Sequence, residues 1–255
     1  MIFIITLLRK SWNVKMAQIY YAENTESKPE SSIISYTNAL SPLPTLLEQE
    51  TYQIDLTLSE EELFRNLNKS SRTQIKQAST KSFTHCVEEH PSNEELLNFQ
   101  RYYNHFAKDK NTSQCNSFHL KTLQLLRDQN ALIVTKILNN QNEVFGYRVY
   151  VTDSIRSLNF YAVSHFRQND LPEIKRLYSL ASRYLIWENI MWFKQNGYAT
   201  YDFGSLTNDE NIRQFKRGFG GEVVKAYSGY ASNNRVGKFV LWMRKIKMSS
   251  PYKNR

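Results

Sequence analysis

The chain has 255 residues, 41% of them hydrophobic and 13% aromatic, including 16 Tyr and 14 Phe. This excludes a disordered polypeptide and allows one large domain or two small ones around a substantial core. A formal net charge of +9 favours anionic partners (phosphates, nucleic acid, nucleotide sugars, anionic lipid headgroups) without choosing among them.

Met1–Leu8 (MIFIITLL) is apolar but too short to span a bilayer, and it has neither the leading positive charge nor the cleavage site of a secretory signal. Arg9, Lys10 and Lys15 follow. Met16 then opens a more ordinary start, so the first residues read as sequence upstream of a natural initiator, as a short strand, or as a membrane-surface tether. Residues 22–50 are polar and broken by Pro29, Pro42 and Pro44, and are expected to be mostly loop. Tyr52–Leu58 alternates like a strand. Ser59 and Glu62 form a capping box that opens a short helix with Leu63 and Leu67 on its buried face.

Lys69–Ser79 is predicted helical, with Lys69, Arg72 and Lys76 in one basic stripe and Ile75 and Ala78 on another face. A solvated face is the ordinary reading of such a stripe; phosphate binding is the sharper one. A strand near 83–87 leads to a second capping box, Ser92 with Glu95, and a helix carrying Leu96, Phe99, Tyr103 and Phe106. Residues 116–128 look helical. Strands are expected at 131–138, 144–151 and 157–163, the first two joined by the hairpin loop Asn139–Glu143. Pro172 suits a helix first turn, and that helix runs to Gly197. A strand at 199–203, a helix at 208–217, a strand near 222–230 and a closing segment at 236–245 complete the chain. This order predicts an α/β fold: a mixed central sheet with helices on both faces.

Cys86 and Cys115 form no CxxC pair and read as packing thiols in a reduced, cytoplasmic setting. His85, His90, His105, His119 and His165 show no metal-ligand spacing, so no metal is expected. GxGxxG, Walker A and GxSxG motifs are absent.

Tyr201-Asp202-Phe203-Gly204, followed by Phe215-Lys216-Arg217-Gly218-Phe219-Gly220-Gly221, resembles the "yDFGG … FKxxFGG" signature of FemAB-like proteins. These are peptidoglycan-bridge enzymes and related acyltransferases of the GNAT superfamily. Arg72-Thr-Gln-Ile75-Lys76-Gln-Ala78 resembles the family's R-x-x-I-(R/K)-x-A helix, and Phe193–Tyr198 the segment before its DFG strand. The resemblance implies a GNAT-like sheet over residues 51–248. It would follow a reduced N-terminal remnant at 1–50 and precede a tail at 249–255, where full-length relatives carry two lobes. The stretch His165–Pro172 lacks the glycine-containing pyrophosphate turn of conventional GNAT enzymes, which counts modestly against acetyl-CoA.

The resemblance further implies an N-acyltransferase moving an acyl or aminoacyl group from acyl-CoA or aminoacyl-tRNA to an amine on a cell-envelope precursor. The donor is a substrate, and no resident cofactor is expected. The amine would attack the activated carbonyl directly. Lys216 is implied as the group that stabilises the oxyanion or a donor phosphate, against a surface lysine on an amphipathic helix. Asp202 is a candidate amine-orienting acid or a turn anchor. Glu188, if buried, would carry a raised pKa and accept a proton; a partly exposed helix carboxylate is the stronger alternative. Arg167 and Lys175 are candidates for gripping phosphate, with Arg72 and Lys76, against solvated helix ends. Ser164 and His165 flank the expected donor cleft, although His165 more often packs than reacts at such a strand end. Tyr201 and Phe215 complete the candidate substrate contacts, and Gly220 and Gly221 are read as backbone-geometry residues. The expected partner is a phosphate-bearing or lipid-linked acceptor. tRNA and the inner membrane face are further candidates, and DNA is not expected. A non-catalytic scaffold or an anionic-ligand-binding protein is the alternative.

Overall fold

The structure, a computed structural model, describes residues 4–11, 14–23, 29–165 and 171–249. The strands are β1 (Ile5–Ser11), β2 (Val14–Tyr20), β3 (Ile33–Ala39), β4 (Leu46–Asp55), β5 (Thr84–Glu88), β6 (Leu132–Leu138), β7 (Val144–Thr152), β8 (Arg156–Val163), β9 (Thr200–Ser205) and β10 (Glu222–Ser232). The helices are α1 (Glu60–Asn66), α2 (Lys69–Ser79), α3 (Asn93–Asp109), α4 (Ser117–Asp128), α5 (Pro172–Gln195), α6 (Glu210–Arg217) and α7 (Arg235–Ser249). The chain forms two compact units. One is built from Thr51–Val224, the other from residues up to Glu50 together with those from Lys225 onward. Residues 225–248 therefore group with the N-terminal residues and not, as expected from sequence, with 51–224.

In the larger unit the strands lie in the order β4-β9-β8-β7-β6-β5. Only β8 and β9 pair in parallel; the other neighbouring strands are antiparallel. Alternation along β7 sorts its side chains onto two helical layers. On one face, Tyr147 meets Phe99 and Tyr102 of α3. On the other, Tyr150 meets Phe193 of α5. Ile186, Ile190 and Phe193 of α5 are buried in one cluster with Tyr150, Tyr201 and Phe203, each contributing roughly 1.5–3 kcal/mol on burial.

Local signals act as read at most helix starts. The Ser59–Glu62 capping box is complete, Asn116 caps α4, and Pro172 opens α5. Gly197, at φ +81°, follows its end. The second box is half made: Ser92 accepts from the Glu95 N–H, but the Glu95 carboxylate turns to Lys136 of β6 at 2.8 Å. A partly buried cation out-competes the exposed cap N–H for it.

In the smaller unit the order is β1-β2-β3-β10. β2 and β3 are parallel, while β1–β2 and β3–β10 are antiparallel. The expectation of loop over residues 22–50 is thus corrected, since β3 and half of β4 lie there. β3 alternates only over Ile34–Thr37, with Ile34 and Tyr36 buried beside Ala17 and Ile19 while Ser35 and Thr37 are half-buried, a short pattern inside a proline-broken stretch. Of the readings of the first residues, the described part follows the strand one, as β1.

Candidate active site

β8 and β9 are in register over Arg156–Leu158 against Thr200–Asp202, and then they part. β8 bulges where its register against β7 shifts, between Tyr150↔Asn159 and Val149↔Tyr161. β9 bends at Gly204, whose φ is +73°. A Cβ there would sit 3.1 Å from the Asn159 carbonyl oxygen, so a side chain would be both strained and crowded. The ladder with β9 thus ends before Ala162 and Val163 of β8.

The signature residues hold this opening in shape. Lys216 reaches from α6 to three backbone carbonyls at the end of β9: Phe203 at 3.0 Å, Gly204 at 3.1 Å and Ser205 at 2.8 Å. An ammonium has three N–H donors, and all three are used. Burial pulls its pKa down to about 8, with Asp202 opposing the shift and Arg148 adding to it. Asp202 is 1% exposed. Its carboxylate accepts from the Thr51 hydroxyl, from the Gly204 N–H at 2.6 Å and from the Gln53 amide at 3.0 Å. Burial raises its pKa, and those hydrogen bonds and Lys216 oppose the rise. Lys216 is thus committed to backbone carbonyls, and Asp202 to one backbone N–H and two side chains of β4. The glycines act likewise. A Cβ on Gly220 would stand 2.5 Å from the Asn66 carbonyl oxygen, and one on Gly221 2.1 Å from that of Gln53. Gly218 abuts Ser71 and Asn68 at the start of α2.

Behind the opening runs a buried polar chain that the sequence reading missed. His85 of β5 meets the Asn189 side chain at 2.8 Å, Asn189 donates to the Tyr150 hydroxyl at 2.9 Å, and Tyr150 meets the Tyr201 hydroxyl at 2.9 Å. Tyr201 also bonds Arg148, which donates to Asn159 of β8 at 3.1 Å. Arg148 is 7% exposed and makes no ion pair among the described residues. It lines a small cavity of about 190 Å³ with Gly146, Ser164 and Ser182. The Ser164 hydroxyl is buried there without a hydrogen-bond partner. Burying a cation without a counter-ion is costly, and a partnerless hydroxyl beside it makes the cavity suited to an anion or a carbonyl oxygen. The signal was available: Arg148 is the lone charge in the strand VFGYRVYVT.

A larger cleft, about 790 Å³, lies between α2 and the first half of α5. Lys69, Lys175 and Arg176 supply its charge, with Thr73, Gln74 and Gln77, and no acidic side chain lines it. Arg183 of α5 lies over the Phe215 ring at 4.9 Å, and burial lowers its pKa.

Several expected site residues are thus assembled and others are not. Lys175 enters the α2–α5 cleft with Lys69. Arg72 turns instead to the Arg65 carbonyl, and Lys76 lies over Phe64 of α1, so the basic stripe divides between two surfaces. Tyr201 is wholly buried in the polar chain, and Phe215 packs beneath Arg183. Ser164 reaches the small cavity. His165, 8% exposed, packs on Tyr102 and His105 of α3. Glu188 is half-buried beside Tyr184, with its pKa raised by burial. Five positions from Arg183, it points about 140° away around the helix. Arg167 lies outside the described residues.

The fold finds its counterpart among solved structures. FemX superposes with a TM-score of 0.62 at 11% identity, over 88% of this chain and 83% of that one. The C-terminal domain of a protein assigned as a lysylphosphatidylglycerol synthetase, from Agrobacterium fabrum, gives 0.57 at 12%, over 94% and 88%. The chain has a FemAB-like, GNAT-type fold. L-PGS from Bacillus licheniformis superposes on this chain with a TM-score of 0.55 at 11% identity, over 94% of this chain and 85% of that one. No family model and no curated protein matches by sequence. Among the described residues no helix is long and apolar enough to cross a membrane.

Proposed function

We propose that this protein is an N-acyltransferase that moves an activated acyl or aminoacyl group to an amine on a cell-envelope precursor, a peptidoglycan precursor or an amino sugar. The observation that carries the reading is the parted β8–β9 pair with Arg148, a buried cation that makes no ion pair among the described residues, behind it. Beyond the β8–β9 ladder, Ala162–Val163 of β8 offers backbone groups to an extended donor, and the cations of the α2–α5 cleft suit donor phosphates. Arg148 is placed to hold a carbonyl oxygen as negative charge develops on it. The amine then attacks that carbon and the donor's sulfur or ribose oxygen leaves, with no covalent enzyme intermediate. FemX and the lysylphosphatidylglycerol synthetase domain support an aminoacyl-tRNA donor and a phosphate-bearing or lipid-linked acceptor, with acyl-CoA as the other donor class.

The test is mass spectrometry of purified protein incubated with acyl-CoAs or aminoacyl-tRNAs against envelope precursors and amino sugars. Enzyme-dependent addition of one acyl mass to an acceptor amine is expected. The commitment of Lys216 to backbone carbonyls, and of Asp202 to the Gly204 N–H and two β4 side chains, favours a second reading, an anionic-ligand-binding protein without turnover. Donor binding with no product from any pair would establish that reading in place of the first.

A further inference from the structure

α7 presents an apolar face to solvent. Val236, Phe239, Trp242, Met243 and Ile246 are each about half exposed, and Phe239 is 60% exposed. At 100° per residue these five side chains fall within an arc of about 120°. Lys238 and Lys245 lie along one side of that arc, and Arg244 lies on the other side of the helix, over the Tyr230 ring at 3.9 Å. The helix contains no Asp or Glu, and neither does the rest of the chain after Glu222.

The helix is not loosely placed. Asn234 caps it by accepting from the Gly237 N–H at 2.8 Å and donates to the Ser32 hydroxyl at 3.1 Å. A Cβ on Gly237 would lie 1.9 Å from the Ser32 carbonyl oxygen, so backbone meets backbone on the inner face. The apolar arc is what remains when that contact is made.

Such an arc needs an occupant, and the charge around it selects one. A protein groove would have to supply acidic groups placed to meet Lys238 and Lys245. A bilayer containing anionic phospholipid supplies negative charge at every position and an apolar layer beneath it. Trp242 and Phe239, with ring centroids 5.8 Å apart, are side chains suited to the headgroup boundary. At 15 residues the helix is about 22 Å long, shorter than the roughly 30 Å hydrocarbon core, so it would lie in the interface and not cross it.

We infer that α7 is a membrane-docking helix that lies in the surface of bilayers containing anionic phospholipid, inserting Phe239, Trp242, Met243 and Ile246 while Lys238 and Lys245 meet the headgroups. This inference does not depend on the reading of the β8–β9 opening, and its test needs no turnover.

The full chain is sedimented with vesicles of phosphatidylcholine alone and of phosphatidylcholine with phosphatidylglycerol in equal parts. Binding should be at least about tenfold stronger to the anionic vesicles, since each surface cation contributes about fivefold. It should weaken when NaCl rises from about 0.1 M to about 1 M, which shortens the Debye length from about 10 Å to about 3 Å. Phe239→Glu with Trp242→Glu should abolish binding without lowering the melting temperature, because both side chains already face water. Lys238→Glu with Lys245→Glu should remove the preference for anionic vesicles. Absence of vesicle binding, or binding that survives Phe239→Glu with Trp242→Glu, overturns the inference. So does a dimer in sedimentation equilibrium that this double substitution dissociates, if the wild type leaves vesicles unbound; the face would then belong to a second copy of the chain.

Discussion

Replacing Lys216 by Met tests whether the signature lysine serves shape or chemistry. The substitution keeps most of the apolar stem and removes three N–H donors from the carbonyls of Phe203, Gly204 and Ser205. Ser205 is exposed, so water can replace the lost donor there, whereas Phe203 and Gly204 are buried. Two buried carbonyls left without partners cost about 1–3 kcal/mol each. Relief from burying an ammonium offsets part of this, leaving a loss of about 3 kcal/mol. In a domain of this size that lowers the melting temperature by about 6–12 °C. At pH 7 the lysine, with its pKa near 8, is still mostly protonated, so the comparison is between a charged tether and none. Thermal and urea unfolding followed by circular dichroism give the answer. Lys216→Met that melts within about 2 °C of wild type while turnover collapses would refute the anchoring argument and return Lys216 to the chemistry that the resemblance implies.

Three other outcomes are expected. The folded pKa of Lys216 lies below the 10.5 of the free side chain, so between about pH 8 and 10.5 the folded chain holds fewer protons than the unfolded one and this group's contribution to stability rises with pH; melting curves at pH 7 and pH 10 should show the gap between wild type and Lys216→Met widening, and an unchanged gap contradicts the shift. Lys69→Ala with Lys175→Ala should weaken binding of a phosphate-bearing donor about tenfold or more in calorimetry, while Arg72→Ala with Lys76→Ala leaves it within about twofold; the reverse pattern would move the phosphate site onto α1. Arg148→Met should keep the fold within about 1–2 kcal/mol, because replacing a buried charge by an apolar side chain is often neutral, yet lower turnover about a hundredfold; unimpaired turnover of the donor found in the mass-spectrometric screen would remove Arg148 from the mechanism.

The legible parts of this fold are those where a local signal meets no competitor. Ser59, Asn116 and Pro172 start their helices as the sequence indicates, and the strands β6 to β9 occupy one sheet beneath α5, within two residues of the expected bounds at each end. Reading failed where a tertiary partner decides. Glu95 has the spacing of a capping carboxylate and is drawn off by Lys136. The 22–50 stretch has the prolines of a loop, yet Ile33–Ala39 pairs as a strand whose alternation is confined to Ile34–Thr37. Within the site, resemblance pointed to Lys216 and Asp202 because the motif is local in sequence. Arg148, Asn159 and Asn189 come from three separate elements, and no spacing rule joins them.

Parting a parallel strand pair has a fixed physical consequence: each strand is left with backbone groups that the ladder no longer satisfies. On the β9 side the fold answers from within. Gly204 lets the strand bend, Asp202 accepts the Gly204 N–H, and Lys216 covers the carbonyls of Phe203, Gly204 and Ser205. Residues of this kind form a recognisable motif because any chain that opens its sheet here must solve the same problem. On the β8 side the ladder ends before Ala162 and Val163, and the buried Arg148 is held to β8 through Asn159. The asymmetry separates two roles that the motif had merged. In the function proposed above, the β9 anchors hold the opening in shape, while the β8 edge and Arg148 bind. On the proposed reading, loss of the β9 anchors should therefore lower stability first and activity only with it, whereas loss of Arg148 should lower activity in a chain that remains folded.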